Sequence, residues 1–336
     1  MDVYLTNPRG FCAGVDRAIA VVEQALIHFG APVYVRHEIV HNPHVLHKLR
    51  ARGALFVETL EEVPDGAVLI FSAHGTSREV EEAAQARGLR VFDGTCPLVA
   101  KVHLEIARHA MLGNSVIYIG HAGHVETLGS MGHYRKGGRL AQGGVIVLVE
   151  READARRVEV PDPARVACAT QTTLSVHDTQ YIVAILRERF PALVEPPKAD
   201  ICYATANRQR AVEDLAQCCD TILVLGARNS SNSQRLVDVA MASGARAHLL
   251  TGLESLDPTW LNNCRHLGIT AGASSPEDAL QALLLHLQKT FGPLRVNEIG
   301  EPEDIVFRLP RSLIDDRPVE ARRSLDQSGD ARNKAS

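Results

Sequence analysis

The chain has 336 residues, and its 36 Lys and Arg against 40 Asp and Glu leave a formal net charge of −4. That length calls for two or three domains, and that balance excludes the basic footprint of a nucleic-acid or membrane-surface protein. No apolar run approaches the ~20 residues of a bilayer span, and no basic segment leads into an apolar core at the start, so a cytoplasmic protein with neither membrane nor nucleic-acid partner is expected. The cysteines number seven, an odd and scattered set that argues against a disulfide framework.

In chain order, residues 3–5 read as a strand and residues 15–26 as a helix, with Cys12 in the Gly-flanked loop between them. A thiol at such a junction faces the positive end of the helix dipole, which favours the thiolate that binds metal. The pattern recurs at Cys96, ahead of a helix over 98–111, and at Cys202, ahead of a helix over about 207–218. Each cysteine is followed by a β-rich run and a polar loop. His41, His124 and Ser230 lie 29, 28 and 28 positions after their cysteines. A second strand and polar loop then bring His74, Thr172 and Ser274, at the looser offsets of 62, 76 and 72. Helices over 79–86, 176–189 and 276–287 close the repeats.

Strands alternating with helices predict an α/β fold with parallel sheets, whose ligands sit at the strands' carboxyl ends. The expected organisation is three pseudo-repeated units in a trefoil around one central cavity; the alternative is three independent domains with separate sites, which would leave a lone exposed cysteine in each without an obvious use. The units run over 13–96 (with 1–12 supplying the leading strand and first cysteine loop), 97–198 and 199–310. A strand-like return is expected at 305–309. Residues 311–336 form a charged tail, with 324–336 expected to be disordered.

Three thiolates meeting at one point suit a soft metal centre, zinc or an iron–sulfur cluster. Closed zinc sites favour close cysteine pairs, and here the one close pair is Cys218-Cys219, at the far end of a helix. Cys168, Cys218, Cys219 and Cys264 read as inert packing thiols. Three cysteines on a four-iron cluster leave one iron open, as catalysis requires. The polar loops offer Ser, Thr, Asn and His groups at helix starts, which suits a small phosphate ester or diphosphate; no P-loop and no Gly-x-Gly-x-x-Gly follows a strand. His37-Glu38-Ile39-Val40-His41 matches the zinc-protease pattern, but its β-rich surroundings and Pro43 argue against the helix that pattern needs. His28, His44, His47, His103, His109, His177 and His248 read as surface or packing residues. Glu126 shares its loop with His121 and His124 and is placed to move protons, with Thr172 completing the relay.

Together the segments 7–18 (NPRGFCAGVDRA), 40–42 (VHN), 72–75 (SAHG), 95–99 (TCPLV), 120–124 (GHAGH), 170–175 (TQTTLS), 201–205 (ICYAT), 229–233 (NSSNS) and 270–274 (TAGAS) resemble the LytB/IspH family of 4-hydroxy-3-methylbut-2-enyl diphosphate reductases. The resemblance runs from residue 1 to about 315. It implies a three-lobed α/β trefoil around one [4Fe-4S] cluster per chain. It also implies reductive removal of the substrate's hydroxyl, with electrons from a donor such as ferredoxin or flavodoxin. By matched motif, Cys12, Cys96 and Cys202 would hold the cluster. His41, His74, His124, Thr172, Ser230, Ser231, Asn232 and Ser274 would hold the substrate, and Glu126, Thr172 and His124 would serve its chemistry. Val125 stands where the family commonly has Pro, and Thr127-Leu128-Gly129 also departs from the pattern. The alternatives are a non-redox iron–sulfur lyase acting on a phosphorylated substrate, which needs no electron donor, and an iron or redox sensor, for which the polar loops have no use.

Overall fold

The computed structural model describes residues 2–135 and 143–315; the expected disordered tail lies outside them. The first strand is β1 (Asp2–Thr6), followed by helix α1 (Ala13–Phe29). There follow β2 (Val33–Arg36), α2 (Pro43–Ala51), β3 (Ala54–Val57), β4 (Val68–Phe71), α3 (Arg78–Ala86) and β5 (Arg90–Asp93). The middle of the chain gives α4 (Pro97–Met111), β6 (Ser115–Ile119), α5 (Val125–Met131), β7 (Ile146–Val149), α6 (Glu152–Ala155), β8 (Val166–Thr170) and α7 (Val176–Arg189). The last third gives α8 (Tyr203–Ala216), β9 (Thr221–Leu225), α9 (Ser231–Ala242), β10 (Arg246–Leu250), β11 (His266–Ala271), α10 (Glu277–Phe291), β12 (Arg295–Ile299) and α11 (Arg311–Asp315).

Three parallel sheets result, ordered β3-β2-β4-β5, β7-β6-β8 and β10-β9-β11-β1-β12. Their strands are apolar runs because helices cover the sheets: every residue of β6, β8 and β9 is buried. The helices show the complementary spacing. In α1, Ala18, Val21, Val22 and Ala25 recur at helical period and are fully buried against the first sheet's core. Burying each such valine contributes roughly 1.5–3 kcal/mol. Side-chain caps fix where the helices begin: Asn42, Ser77, Ser175 and Ser230 each accept from a backbone N–H of their own first turn. Among the described residues no helix is long and apolar enough to cross a membrane.

Three local expectations differ. β1 precedes the first unit's helix but pairs with β11 and β12, in the last sheet. Val3 and Leu5 bury themselves among Leu223, Leu267 and Leu280 there, a pairing about 264 positions distant that no local pattern encodes. No strand precedes Cys202. The chain ahead of it is held instead by Asp200, whose Oδ2 accepts from the Thr170 amide at 3.0 Å. The predicted strand at 305–309 is absent, and β12 takes the free side of β1. Ile305 and Val306 are exposed, Val306 at 85%, while Leu309 packs in part against the first sheet's core, so this apolar run settles as an irregular segment.

Gly75 lies in the loop after β4 with φ +80°, and a Cβ there would meet the His103 ring at 2.4 Å. Gly75→Ala is therefore expected to lower the melting temperature. The left-handed backbone alone costs about 1–2 kcal/mol, and the His103 ring must also move from its stack on His133. Thermal unfolding of the variant beside the parent checks this.

Candidate active site

The loops that leave the strands' carboxyl ends in all three sheets meet at one cavity of about 690 Å³, counting its open mouth. Cys12, Cys96 and Cys202 all line it, each as the N-cap of a helix: α1, α4 and α8. Gly14 keeps the space beside two of them clear. A Cβ on it would stand 2.7 Å from Cys96 Sγ and 3.7 Å from Cys12 Sγ. Cys202 Sγ accepts from the Thr205 amide at 3.3 Å and lies 3.1 Å from Thr205 Oγ1. The helix starts do not suffice to ionise these thiols. Burial outweighs the amide hydrogen bonds and pushes Cys12 up, Cys96 to about 12 and Cys202 to about 11. Any metal that arrives must displace their protons. Among the described residues no three His, Cys, Asp or Glu side chains converge closely enough for a single metal ion.

His41, His74 and His124 line the same cavity. The rings of His41 and His74 stack with centroids 4.1 Å apart, and His124 meets both edge-on at 5.6 and 6.0 Å. His124 Nδ1 accepts from the Glu126 amide at 3.1 Å, so the neutral ring carries its proton on Nε2. That Nε2, with His41 Nε2 and Asn232 Nδ2, is buried without a hydrogen-bond partner among the described residues. All three residues line the cavity, as do Ser230, Ser231 and Ser274. Asn232 is oriented by its Oδ1, which accepts from the Ala273 amide at 2.9 Å. Ser274 Oγ donates to the His41 carbonyl at 3.0 Å and Thr173 Oγ1 donates to Ser231 Oγ at 3.0 Å, so loops from different sheets are tied together at the mouth. Burial pulls His74 well below the usual imidazole range and His124 down to about 4.

Glu126 sits in the first turn of α5 and is 2% exposed. Its Oε1 accepts from the Thr172 amide at 2.6 Å and its Oε2 from Thr172 Oγ1 at 3.0 Å. Burial raises its carboxyl to about 7, against the lowering effect of those two bonds. Val125 leaves this geometry intact: it is the first helical position, where Pro or any helix former fits, and His124 still caps the helix. A Cβ on Gly129 would stand 3.2–3.3 Å from the Gly75 and Thr76 backbone, tighter than an ordinary contact, so glycine at this position eases a close approach.

The structure thus brings together every predicted site residue in one cavity. It also adds residues that sequence reasoning passed over. Glu38, hidden in the zinc-protease decoy, accepts from Asn229 Nδ2 and bonds His41 Nδ1, both at 2.8 Å. Residues 37–41 are not helical, and His37 bonds Glu58 instead of facing the cavity. Gln171 accepts from the His121 amide and from Thr127 Oγ1, and donates to Thr173 Oγ1, which ties the loops after β6 and β8. Cys168 lies buried within β8, Cys218 and Cys219 follow α8 with their sulfurs 3.8 Å apart, and Cys264 precedes β11, all outside the cavity lining.

A parallel α/β trefoil with cysteines from three helix starts around one polar cavity defines the class, and the chain belongs to the LytB protein family, whose model matches residues 3–288. The 4-hydroxy-3-methylbut-2-enyl diphosphate reductase of Stenotrophomonas maltophilia (strain K279a) is 52% identical over 314 residues, 93% of this chain and 98% of that one. The reductase of the same name from Klebsiella pneumoniae is 51% identical over 321 residues, 95% of this chain and 100% of that one. The solved structure of the E-1-hydroxy-2-methyl-but-2-enyl-4-diphosphate reductase from Plasmodium falciparum matches with a TM-score of 0.87 at 36% identity, covering 94% of this chain and 97% of that chain.

Proposed function

We propose that the protein is a reductase that converts 4-hydroxy-3-methylbut-2-enyl diphosphate to isopentenyl and dimethylallyl diphosphates, the last step of the methylerythritol phosphate route to isoprenoids. The observation that carries this reading is one cavity lined by three cysteines, by buried, unpartnered His and Asn groups, and by a hydrogen-bonded Glu–Thr pair. Relatives at 50–52% identity bear the reductase name, and nothing supports the lyase alternative.

Cys12, Cys96 and Cys202 would hold a [4Fe-4S] cluster. Their donor set is soft, their loops leave space beside Gly14, and their spread around a cavity suits a polynuclear centre better than one ion. When bound, such a cluster supplies electrons and one iron without a cysteine. A small electron-transfer protein such as ferredoxin or flavodoxin would feed it, in the cytoplasm.

The chain's own groups account for the rest. The unpartnered His41 Nε2, His124 Nε2 and Asn232 Nδ2 would engage diphosphate oxygens, joined by His74, Ser230, Ser231 and Ser274. Glu38 holds His41 by Nδ1 at 2.8 Å, which fixes the ring's orientation at the cavity. Thr172 would orient the substrate hydroxyl. Removing that hydroxyl as water takes two electrons and two protons, and Glu126, kept protonated by burial, would deliver a proton through Thr172. Anaerobic assay with the diphosphate substrate and a strong reductant tests this. Both isoprenoid diphosphates are expected; product without reductant, or none, refutes it.

One binding prediction follows from the grip. His41→Ala is expected to raise the substrate concentration needed by roughly 10–100-fold, the worth of a hydrogen bond to a charged group. Bound iron should not change. Unchanged affinity in both His41→Ala and His74→Ala would place the diphosphate elsewhere.

A further inference from the structure

Each cysteine-capped helix places a cation in its second turn: Arg17 in α1, Lys101 in α4 and Arg208 in α8, at 5, 5 and 6 positions past Cys12, Cys96 and Cys202. Each reaches the chain around the next cysteine. Arg17 Nη1 donates to the carbonyls of Gly94 and Thr95 at 3.2 and 2.9 Å, and Nη2 to that of Asp93 at 3.3 Å, in the loop that ends at Cys96. Lys101 Nζ donates to the Lys198 carbonyl at 2.8 Å and to Asp200 Oδ1 at 3.3 Å, just ahead of Cys202. Arg208 donates to the Gly10 carbonyl from Nε and Nη2 at 3.3 and 2.9 Å, and from Nη2 to that of Phe11 at 3.4 Å, directly before Cys12. First reaches second, second reaches third, and third reaches first, so the circuit closes.

We propose that Arg17, Lys101 and Arg208 form a cyclic latch that sets the separation of the three cysteines, as positioning residues for the cluster they hold. This rests on the reading of Cys12, Cys96 and Cys202 as its ligands.

The latch joins what the sheets leave separate. The three cysteine loops belong to different parts of the trefoil, and the carbonyls of Gly10, Phe11, Gly94, Thr95 and Lys198 lie outside the strands, so they need partners from elsewhere. A buried cation is expensive unless paired, yet Arg208 is fully enclosed, with Glu303 at 2.9 Å as its counter-charge. Asp200 is equally buried, and its second oxygen holds the Thr170 amide two residues from Thr172, so the second latch also fixes the acid's partner loop. The segment after β12 backs the ring. Asn207 Nδ2 donates to Glu303 Oε1 at 2.8 Å, and Arg17 Nε donates to the Arg308 carbonyl at 2.9 Å.

The test compares Arg17→Met, Arg17→Lys, Lys101→Met and Arg208→Lys with the parent and with Arg52→Met, which breaks a surface pair to Glu23. After anaerobic reconstitution, iron and sulfide per chain, the rate of iron loss to a chelator and the cluster's midpoint potential are read, with circular dichroism to confirm the fold. Arg17→Met and Lys101→Met should release iron roughly 10–100-fold faster than the parent, the usual effect of removing a group that orients metal ligands. Their potentials should shift as well. Arg17→Lys keeps the charge but cannot span three carbonyls, and should fall between. Parental retention and potential in both Met variants, or equal loss in Arg52→Met, overturns the latch alone. A parent that binds no iron overturns the ligand reading with it.

Discussion

Glu126→Gln is expected to slow turnover by about 10²–10⁴-fold while leaving bound iron and substrate affinity near those of the parent. Water is a far better leaving group than hydroxide, so a proton must reach the hydroxyl as the C–O bond breaks. Glu126 is enclosed, touches Thr172 with both oxygens, and is held by burial at about 7. Gln keeps the shape and the bond from the Thr172 amide but has no acidic proton. The pH dependence follows from the raised value. The carboxyl is protonated below about 7 and ionised above it, so the rate should fall as pH rises through that value, and Glu126→Gln should lose this limb of the profile. Stability moves the same way. Between the ordinary 4.5 and about 7 the folded protein binds more protons at this site than the unfolded chain, so its contribution to stability declines as pH rises through that window. A variant turning over within about threefold of the parent, well short of the general-acid range, would pass the role to Thr172 or His124.

Replacing Cys12, Cys96 or Cys202 by Ser is expected to remove most of the iron bound after anaerobic reconstitution, because in the proposed reading each would be one of three protein ligands to the cluster and an alcohol is a poor, protonated substitute for a thiolate. Cys168→Ser, Cys218→Ser, Cys219→Ser and Cys264→Ser should keep it. Cys168 is locked in the middle of β8, the Cys218-Cys219 pair closes α8, and Cys264 packs beside the last sheet's core. Iron and sulfide analysis of the seven variants separates the groups, and comparable loss in the second group would dissolve the assignment.

The features legible in the sequence are those whose physics is local. A cysteine between a strand and a helix, a Pro at the first helical position after Cys96, and Ser or Asn before an apolar periodic run all mark helix starts that the structure contains. Parallel strands send such loops to one end of each sheet, which order alone predicts; that the three ends meet, bringing Cys12, Cys96 and Cys202 together with His41, His74 and His124, needed the further expectation of a pseudo-threefold packing. What depends on distant partners was not. β1 leads into the first cysteine loop yet belongs to the sheet of β11 and β12, where Val3 and Leu5 find an apolar core. Residues 305–309 are apolar enough to read as a strand, but Ile305 and Val306 stay exposed and the run pairs with no sheet. Glu38 lay inside a misleading motif, and its pairing with His41 requires a bent chain that the β-rich flanks conceal. The thiols' resistance to ionisation was missed for a similar reason: the helix start is local, but the enclosing loops that desolvate the sulfurs come from three sheets.

The central claim is that cluster and diphosphate occupy one cavity, close enough for the substrate to be felt at the iron. The measurement is the electron paramagnetic resonance spectrum of the reduced, reconstituted protein during titration with 4-hydroxy-3-methylbut-2-enyl diphosphate, in the parent and in His41→Ala. The account predicts a saturable change in the cluster's signal in the parent, and the same change at roughly 10–100-fold higher substrate in His41→Ala. A signal that saturating substrate leaves untouched, or one that responds identically in both proteins, would contradict it.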